Sequence, residues 1–186
     1  MLLRASALLV FLAGCPFGGG DDAANLPECS MVDDQSMMLV ASTATSSMRD
    51  IMDGSTVDLI GAPQGGHILL VGARVKASGD CQLQATASLR DTTTSRVIGL
   101  EQRALLLEMH ANGWAAPRQG LDAMPNVAVC PSAAATQNIY GHPYLLEVAL
   151  ATMSGMPIVS ASAMVTPTCA TGDTYCQNDC MAQPPL

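Results

Sequence analysis

Lysine and aromatic residues are scarce in this chain of 186 residues. Lys76 is its one lysine, and eight cationic side chains stand against sixteen carboxylates, which gives a formal net charge of −8. This balance argues against nucleic-acid binding, because a polyanion requires a cationic surface. No apolar run reaches the roughly 20 residues that a membrane-spanning helix needs. With only 3% aromatic residues, the core must be packed by alanine, leucine, valine and methionine, and we expect methionine to serve mainly as adaptable packing.

The N-terminus has the layout of an exported protein. Arg4 precedes an apolar segment, residues 5–12, which is too short to remain as a membrane span and is followed by the small residues Ala13 and Gly14. This order is typical of a secretory signal peptide. The tetrapeptide Leu12-Ala13-Gly14-Cys15 resembles the lipobox of bacterial lipoproteins at every position.

The lipobox resemblance implies a domain organisation and a location. It implies cleavage before Cys15, lipidation of the Cys15 sulfur and anchoring in the bacterial cell envelope, with the outer membrane expected, facing the periplasm or the surface. Residues 1–14 are then the signal peptide, and 15–30 are the lipidated cysteine with a flexible tether rich in glycine, aspartate and proline. A β-sandwich domain follows at 31–168, and a cysteine-rich tail at 169–186.

The remaining cysteines predict three disulfides. The chain has seven cysteines, and an even number left after Cys15 in an exported chain indicates a disulfide framework. Each disulfide would stabilise the folded state by about 2–4 kcal/mol and so offset a weak core. All pairings stay open, and the spacing in the tail does not fit a zinc finger. We expect the tail to be held by disulfides rather than by burial. The six residues are Cys29, Cys81, Cys130, Cys169, Cys176 and Cys180.

Period-two alternation of apolar and polar residues dominates the middle of the chain and predicts an antiparallel all-β sandwich of about seven strands. Residues 69–77 and 81–89 alternate on either side of a Ser-Gly-Asp turn, which predicts a hairpin. Residues 144–150 and 159–165 predict a second hairpin. Shorter strands are expected at 57–60 and 126–130. Residues 96–109 fit either a helix or a strand, and their neighbours favour a strand.

Two further segments are similar to a group of uncharacterised bacterial envelope lipoproteins. These segments are the turn Gln64-Gly65-Gly66-His67, which leads into a strand, and residues 165–169, a strand end followed by Pro-Thr-Cys. The resemblance implies an immunoglobulin-like β-sandwich and a lipid anchor, and it supplies no activity.

Few residues are candidates for chemistry. His67, His110 and His142 would bind copper or zinc through imidazole nitrogens if the fold brought them together. The alternative for His67 is that its side chain satisfies the backbone of the preceding glycine turn. Clustered methionines would bind Cu(I) through their thioether sulfurs, which are soft ligands, and packing in the core is the favoured alternative. The clustered methionines are Met37, Met38, Met48, Met52, Met153 and Met156.

The motifs of common enzyme classes are absent from the sequence. The leading hypothesis is therefore a lipid-anchored envelope protein with a non-enzymatic binding or structural role and no cofactor, whose partner is a protein or an envelope polymer. The single tryptophan and few tyrosines supply little surface for stacking sugars. One alternative is a metal-handling protein that uses the three histidines and methionines. The other is an enzyme whose site has no recognisable motif.

Overall fold

The computed structural model describes residues 26–31, 36–118 and 120–182. The predicted signal peptide, the lipobox with Cys15 and most of the predicted tether lie outside these residues. The described chain is mostly β-structure, with one short helix. Its elements are β1 (Met37–Ser42), β2 (Met48–Asp50), β3 (Ser55–Asp58), β4 (Ile60–Gly61), β5 (His67–Lys76), β6 (Cys81–Arg90), β7 (Val97–Met109), β8 (Trp114–Pro117), β9 (Asn126–Cys130), β10 (Tyr144–Ala151), β11 (Pro157–Thr168) and α1 (Thr174–Asp179).

The strands form one strongly curled, sandwich-like sheet. Their hydrogen-bonding order is β2-β1-β5-β8-β7-β6-β10-β11-β3, and β4 and β9 pair with β5 beside this path. All pairs are antiparallel except β3 with β11, which is parallel. β1, near one end of this order, packs against β11 and β3 at the other end. Arg49 of β2 and Asp58 of β3 form an ion pair of 3.1 Å between the two edge strands.

The predicted alternation places the expected residues in the core. In β10, Tyr144, Leu146, Val148 and Leu150 are all buried. β5 is buried at nearly every position, not only at alternate ones, so other parts of the fold cover both of its faces. A strand covered on both faces reads as a continuous apolar run.

Methionine contributes less to the interior of this core than the composition suggested, and more at its margin. Of the methionines in the described part of the chain, Met124 alone is fully buried. Five others are exposed, and they are Met38, Met52, Met153, Met156 and Met181. Met31, Met37, Met48 and Met109 are partly buried and pack against the core, whose buried side chains are mostly leucine, valine and alanine.

One predicted hairpin is confirmed and the other is wrong. β10 and β11 pair as expected, with Tyr144 opposite Val165. β5 and β6 do not pair with each other, because the β7–β8 hairpin inserts between them: β8 pairs with β5, and β7 pairs with β6. The doubtful segment 96–109 is a strand, as the neighbouring strands favoured. The count of about seven omitted the short or irregular strands β1, β2, β4 and β8.

The last residues of the predicted tether are held on the domain. Cys29 is bonded to Cys81 at the start of β6. Gln82 adds hydrogen bonds to the same segment: its backbone N–H donates to the carbonyl of Pro27 at 2.9 Å, and its side-chain Nε2 donates to that of Leu26 at 2.6 Å. Residues 26–30 are therefore not a free linker.

In residues 26–31, 36–118 and 120–182, no helix combines the length and the apolar character needed to cross a membrane.

Candidate functional site

His67 lies buried beneath the C-terminal tail. Its side chain is 3% exposed, and its Nδ1 is 2.7 Å from Oδ2 of Asp179, the last residue of α1. A carboxylate only accepts hydrogen bonds when ionised, so the Nδ1–H of His67 donates. The ring of Tyr175 lies against the imidazole, with centroids 5.5 Å apart. The side chain of His67 therefore bonds to a carboxylate of the tail. It does not satisfy the backbone of its own turn, which was the alternative that the sequence suggested.

The two glycines before His67 bring the chain against β9. Gly65 and Gly66 have φ values of 94° and 80°, in the left-handed region that side chains disfavour. A Cβ on Gly66 would lie 2.4 Å from the carbonyl oxygen of Cys130, whereas one on Gly65 would meet nothing within 4 Å. Gly66 is therefore required both by its conformation and by the closeness of β9.

Two disulfides fix the tail over His67. Cys130 of β9 is bonded to Cys180, and Cys169, directly after β11, is bonded to Cys176 of α1. Asp173 caps α1 by accepting a hydrogen bond of 2.9 Å from the backbone N–H of Cys176. Cys176 and Cys180 are 0% exposed. The tail is thus held by disulfides together with burial, where the sequence predicted disulfides without burial.

We call His67 and the four cysteines of these two disulfides the tail cluster. A ring nitrogen of His67 and the Sγ atoms of Cys176 and Cys180 all lie within 4.8 Å of one another. In the described part of the chain this is the one group of three potential metal ligands from histidine, cysteine and acidic residues. It includes neither His110 nor His142, so the three histidines do not converge as the metal hypothesis required.

His67 also lines an open cleft of about 470 Å³. Glu101, Arg103, Asp122 and Asn126 contribute polar groups to its walls. Arg103 is paired with Glu101 at 2.7 Å. The Oδ1 of Asn126 is buried and has no hydrogen-bond partner. Among the described residues, the lining contains a histidine oriented by Asp179 but no serine, no threonine and no free cysteine.

No protein-family model, no curated protein and no solved structure matches this chain.

A larger cleft than that of His67 lies on the outer face of the sheet around Trp114, and we call it the Trp114 cleft. Its volume is about 650 Å³ and it crosses β7, β8, β5 and β2. Trp114, the single tryptophan of the chain, stands in its wall, and Nζ of Lys76 lies 5.7 Å from the ring centroid. His110 and Asn112 project from the β7–β8 turn at its rim. Sequence reasoning did not single out this cleft, because its residues come from strands that are distant along the chain.

Cations are concentrated at the Trp114 cleft. Arg74 and Arg118 line the cleft, and Lys76 lies beside it near the Trp114 ring; these are three of the seven cationic residues in the described part of this acidic chain. Arg74 pairs with Asp50, and Arg118 pairs with Glu108 at 2.9 Å. Nε of Arg118 is buried and lacks hydrogen-bond geometry despite this short distance, so the guanidinium has an unused donor. Lys76 makes no ion pair with any described carboxylate.

His142 and Asp91 belong to structural loops. His142 is half-buried in the turn before β10. Burial raises the pKa of Asp91, but hydrogen bonds from Thr93, Thr94 and Thr136 outweigh burial and hold that pKa below its ordinary value. Burial raises the pKa of the Tyr144 hydroxyl, which donates to the carbonyls of Gln137 and Asn138. Asp91 thus organises the turn after β6 and connects it to the loop before β10.

Proposed function

We propose that this protein is a lipid-anchored protein of the bacterial cell envelope, in the outer membrane, and that it has a non-enzymatic binding role. In this proposal Cys15 carries the anchor and an immunoglobulin-like sandwich displays the binding surface. The lipobox supports the anchor, and the three disulfides suit an oxidising compartment outside the cytoplasm. The curled sheet, whose edge strands approach each other, supports the sandwich.

The ligand we propose is an acidic saccharide of an envelope polymer, bound in the Trp114 cleft. The observation that carries this proposal is the placement of Lys76 and Trp114 together beside Arg118. An indole presents an apolar face that suits a sugar ring, and guanidinium and ammonium groups bind a carboxylate through charge-assisted hydrogen bonds. A single tryptophan offers one stacking position, so the cations must supply much of the specificity.

The net charge of the chain restricts this ligand further. A body with a net charge of −8 repels a long, densely charged polyanion. A saccharide with isolated carboxylates, such as a muramic acid unit of peptidoglycan, meets the local cations without a large repulsive field. The same argument favours this class over nucleic acid.

Tryptophan fluorescence, excited selectively at the indole, tests the proposal directly, because Trp114 is the single tryptophan of the chain. The muramic-acid disaccharide GlcNAc-MurNAc is titrated against di-N-acetylchitobiose, which lacks the lactyl carboxylate. We expect quenching and saturable binding with the first sugar and at least tenfold weaker binding with the second, which corresponds to about 1.4 kcal/mol. Equal titrations with the two sugars, or none with either, would contradict the proposal, and heparin serves as the polyanion control.

A pair of matched variants locates the binding. Lys76→Gln removes the cation that lies over the ring, and we expect it to weaken binding of the acidic disaccharide by about tenfold. Arg96→Gln removes one positive charge from the exposed turn before β7 and should leave the affinity unchanged. Equal loss in both variants would indicate a general effect of charge and not a site.

The anchor has its own test. Cys15→Ser should release the protein from membranes or leave the signal peptide uncleaved, as measured by fractionation and by the intact mass of the protein. An unchanged membrane fraction with a processed N-terminus would contradict lipidation at this residue.

A second candidate function, catalysis, is favoured by the His67 cleft. There a histidine fixed by Asp179 faces a cavity with Glu101 and Asp122, an arrangement that suits a general base acting on water. Because none of the described residues that line the cleft offers a hydroxyl or a free thiol, we propose no covalent intermediate. Hydrolysis of p-nitrophenyl acetate and p-nitrophenyl phosphate is compared with His67→Ala, and equal rates for the two proteins would remove this candidate.

A further inference from the structure

We propose that five exposed methionines form a surface that scavenges hypochlorous acid by reversible oxidation of their thioether sulfurs. We call them the surface methionines, and they are Met38, Met52, Met153, Met156 and Met181. None of the five is among the described residues that line the Trp114 cleft. The inference depends neither on the proposed saccharide nor on the lipid anchor.

The exposure of these side chains is unusual for methionine, which is ordinarily one of the more buried residue types. Of the eleven methionines in the described part of the chain, five are exposed and only Met124 is fully buried. Met52, in the turn between β2 and β3, is 72% exposed, and Met156, in the turn between β10 and β11, is 63% exposed. Both residues are therefore open to a small dissolved oxidant.

The two most exposed methionines hold their turns through the backbone and not through the side chain. The backbone N–H of Met52 donates to Oγ of Ser55 at 3.0 Å, and that of Met156 donates to Oγ1 of Thr152 at 2.9 Å. A sulfoxide is polar, so at these positions it stays hydrated and removes no core contact. At Met124, which is 0% exposed, the same change would bury a polar group among apolar side chains at a cost in free energy.

No thiol competes with the surface methionines in the described part of the chain. All six cysteines there form disulfides, whereas a free thiolate would be the more reactive sulfur nucleophile. A chain whose cysteines are paired for an oxidising compartment thus retains reduced sulfur, among the described residues, only in its methionines. The most exposed of these are the groups that the oxidant reaches first.

Hypochlorous acid oxidises a thioether by two electrons. The lone pair on sulfur attacks the chlorine atom and displaces hydroxide; water then adds to sulfur, chloride leaves, and loss of two protons gives the sulfoxide. Hydroxide takes up one of these protons, so the net products are one sulfoxide, one chloride and one proton. A methionine sulfoxide reductase restores the thioether with two thiols, which form a disulfide while the oxygen leaves as water.

Peptide mapping by mass spectrometry tests the inference on the full chain with its three disulfides formed. The folded protein is titrated with hypochlorous acid, free methionine quenches the excess, and the sulfoxide fraction is measured at each methionine. We expect Met52 and Met156 to react at least about tenfold faster than Met124, with the thermal midpoint unchanged until the surface methionines are consumed. The two stereospecific methionine sulfoxide reductases, supplied with a dithiol, should then restore the unmodified masses.

Two matched variants measure the capacity of the surface, which is the dose of oxidant that the protein tolerates before its thermal midpoint begins to fall. Met52→Leu with Met156→Leu keeps the side-chain volume and removes two exposed thioethers, so we expect the tolerated dose to fall by about two equivalents per chain. Met37→Leu with Met109→Leu removes two partly buried thioethers that pack against the core. This control should not lower the tolerated dose, because oxidation at those positions destabilises the core.

Three outcomes would overturn the inference. The first is oxidation of Met124 in the folded protein as fast as that of Met52. The second is a thermal midpoint that falls while only the surface methionines carry sulfoxide, because the oxidation would then be damage. The third is an equal fall of the tolerated dose in the two variants, and sulfoxides that the reductases leave unreduced on the folded protein would likewise exclude a reversible surface.

Discussion

Nδ1 of His67 lies 2.7 Å from Oδ2 of Asp179, although the two residues are 112 positions apart in the chain. This contact joins the first residue of β5 to the last residue of α1, and both partners are shielded from water, at 3% and 16% exposure. This polar contact holds the tail on the domain together with the two disulfides. The tail therefore belongs to the folded domain, and we expect its removal to destabilise β5 and β9.

Asp179→Asn tests the energetic weight of that contact. The change leaves the buried imidazole without a charged acceptor, so we expect the free energy of unfolding to fall by about 1–3 kcal/mol. Urea denaturation of the oxidised protein measures the change. Asn178→Ala, an exposed position one residue earlier in the same helix, is the control and should change stability by less than about 0.5 kcal/mol. Equal losses in both variants would mean that the helix itself, and not the pair, is responsible.

Asp91 should make stability depend on acid pH. Because its pKa in the folded protein lies below the unfolded value, the carboxylate stabilises the fold at pH values above the unfolded pKa of about 3.9. This contribution is lost as the pH falls through the lowered pKa of the folded state. Asp91→Asn should therefore destabilise the protein at pH 7 by about 1–3 kcal/mol.

Urea denaturation at pH 7 and at acid pH distinguishes this mechanism from simple packing. The difference between wild type and Asp91→Asn should shrink as the pH falls, because the wild-type carboxyl becomes protonated as well. A difference that stays constant with pH would show that charge at Asp91 contributes nothing to the stability.

Gly66 and Gly65 form a matched pair for testing the close approach of β9. Both need a positive φ, so alanine at either position costs about 1 kcal/mol in backbone strain. Only at Gly66 does the added Cβ meet a backbone atom, the carbonyl oxygen of Cys130 at 2.4 Å. We expect Gly66→Ala to lower the thermal midpoint clearly more than Gly65→Ala. Similar midpoints would mean that β9 yields easily at this point.

Local patterns predicted the parts of this fold that depend on neighbours in sequence. The β10–β11 hairpin followed from alternation on either side of a short turn, and Tyr144 and Leu146 point inward as the period of two requires. β5 and β6 showed equally clear alternation, yet alternation fixes which face of a strand is buried and not which strand lies beside it. The β7–β8 hairpin lies between them because of tertiary contacts, which local alternation does not encode.

The candidate sites were less predictable for the same reason. His67 could be singled out because two glycines precede it, but nothing near it in sequence indicates Asp179 or Tyr175 as its contacts. The pairing of Cys130 with Cys180 depends on the path of the tail across β9. Lys76 and Trp114 meet only because β8 pairs with β5.

Arg49 and Asp58 should show how much the contact between the two edge strands matters. Nη2 of Arg49 donates to Oδ1 of Asp58 at 3.1 Å, and Oδ2 accepts a hydrogen bond of 3.0 Å from the backbone N–H of Ala44. Asp58→Ala removes both contacts and leaves a half-buried guanidinium without its carboxylate. Because the pair is partly solvated, we expect a loss of only about 1–2 kcal/mol in the free energy of unfolding.

Hydrogen exchange gives the sharper readout of that variant. Exposed edge strands open by local fluctuations, so Asp58→Ala should raise the exchange rates of β2 and β3 amides while those of β6 and β10 change little. Asp122→Ala removes an exposed aspartate from the loop before β9 and is the control for the loss of one negative charge. Uniform acceleration across all strands would show that the edge pair stabilises the whole sheet, whereas no change at β2 and β3 would show that strand packing alone keeps the two edges together.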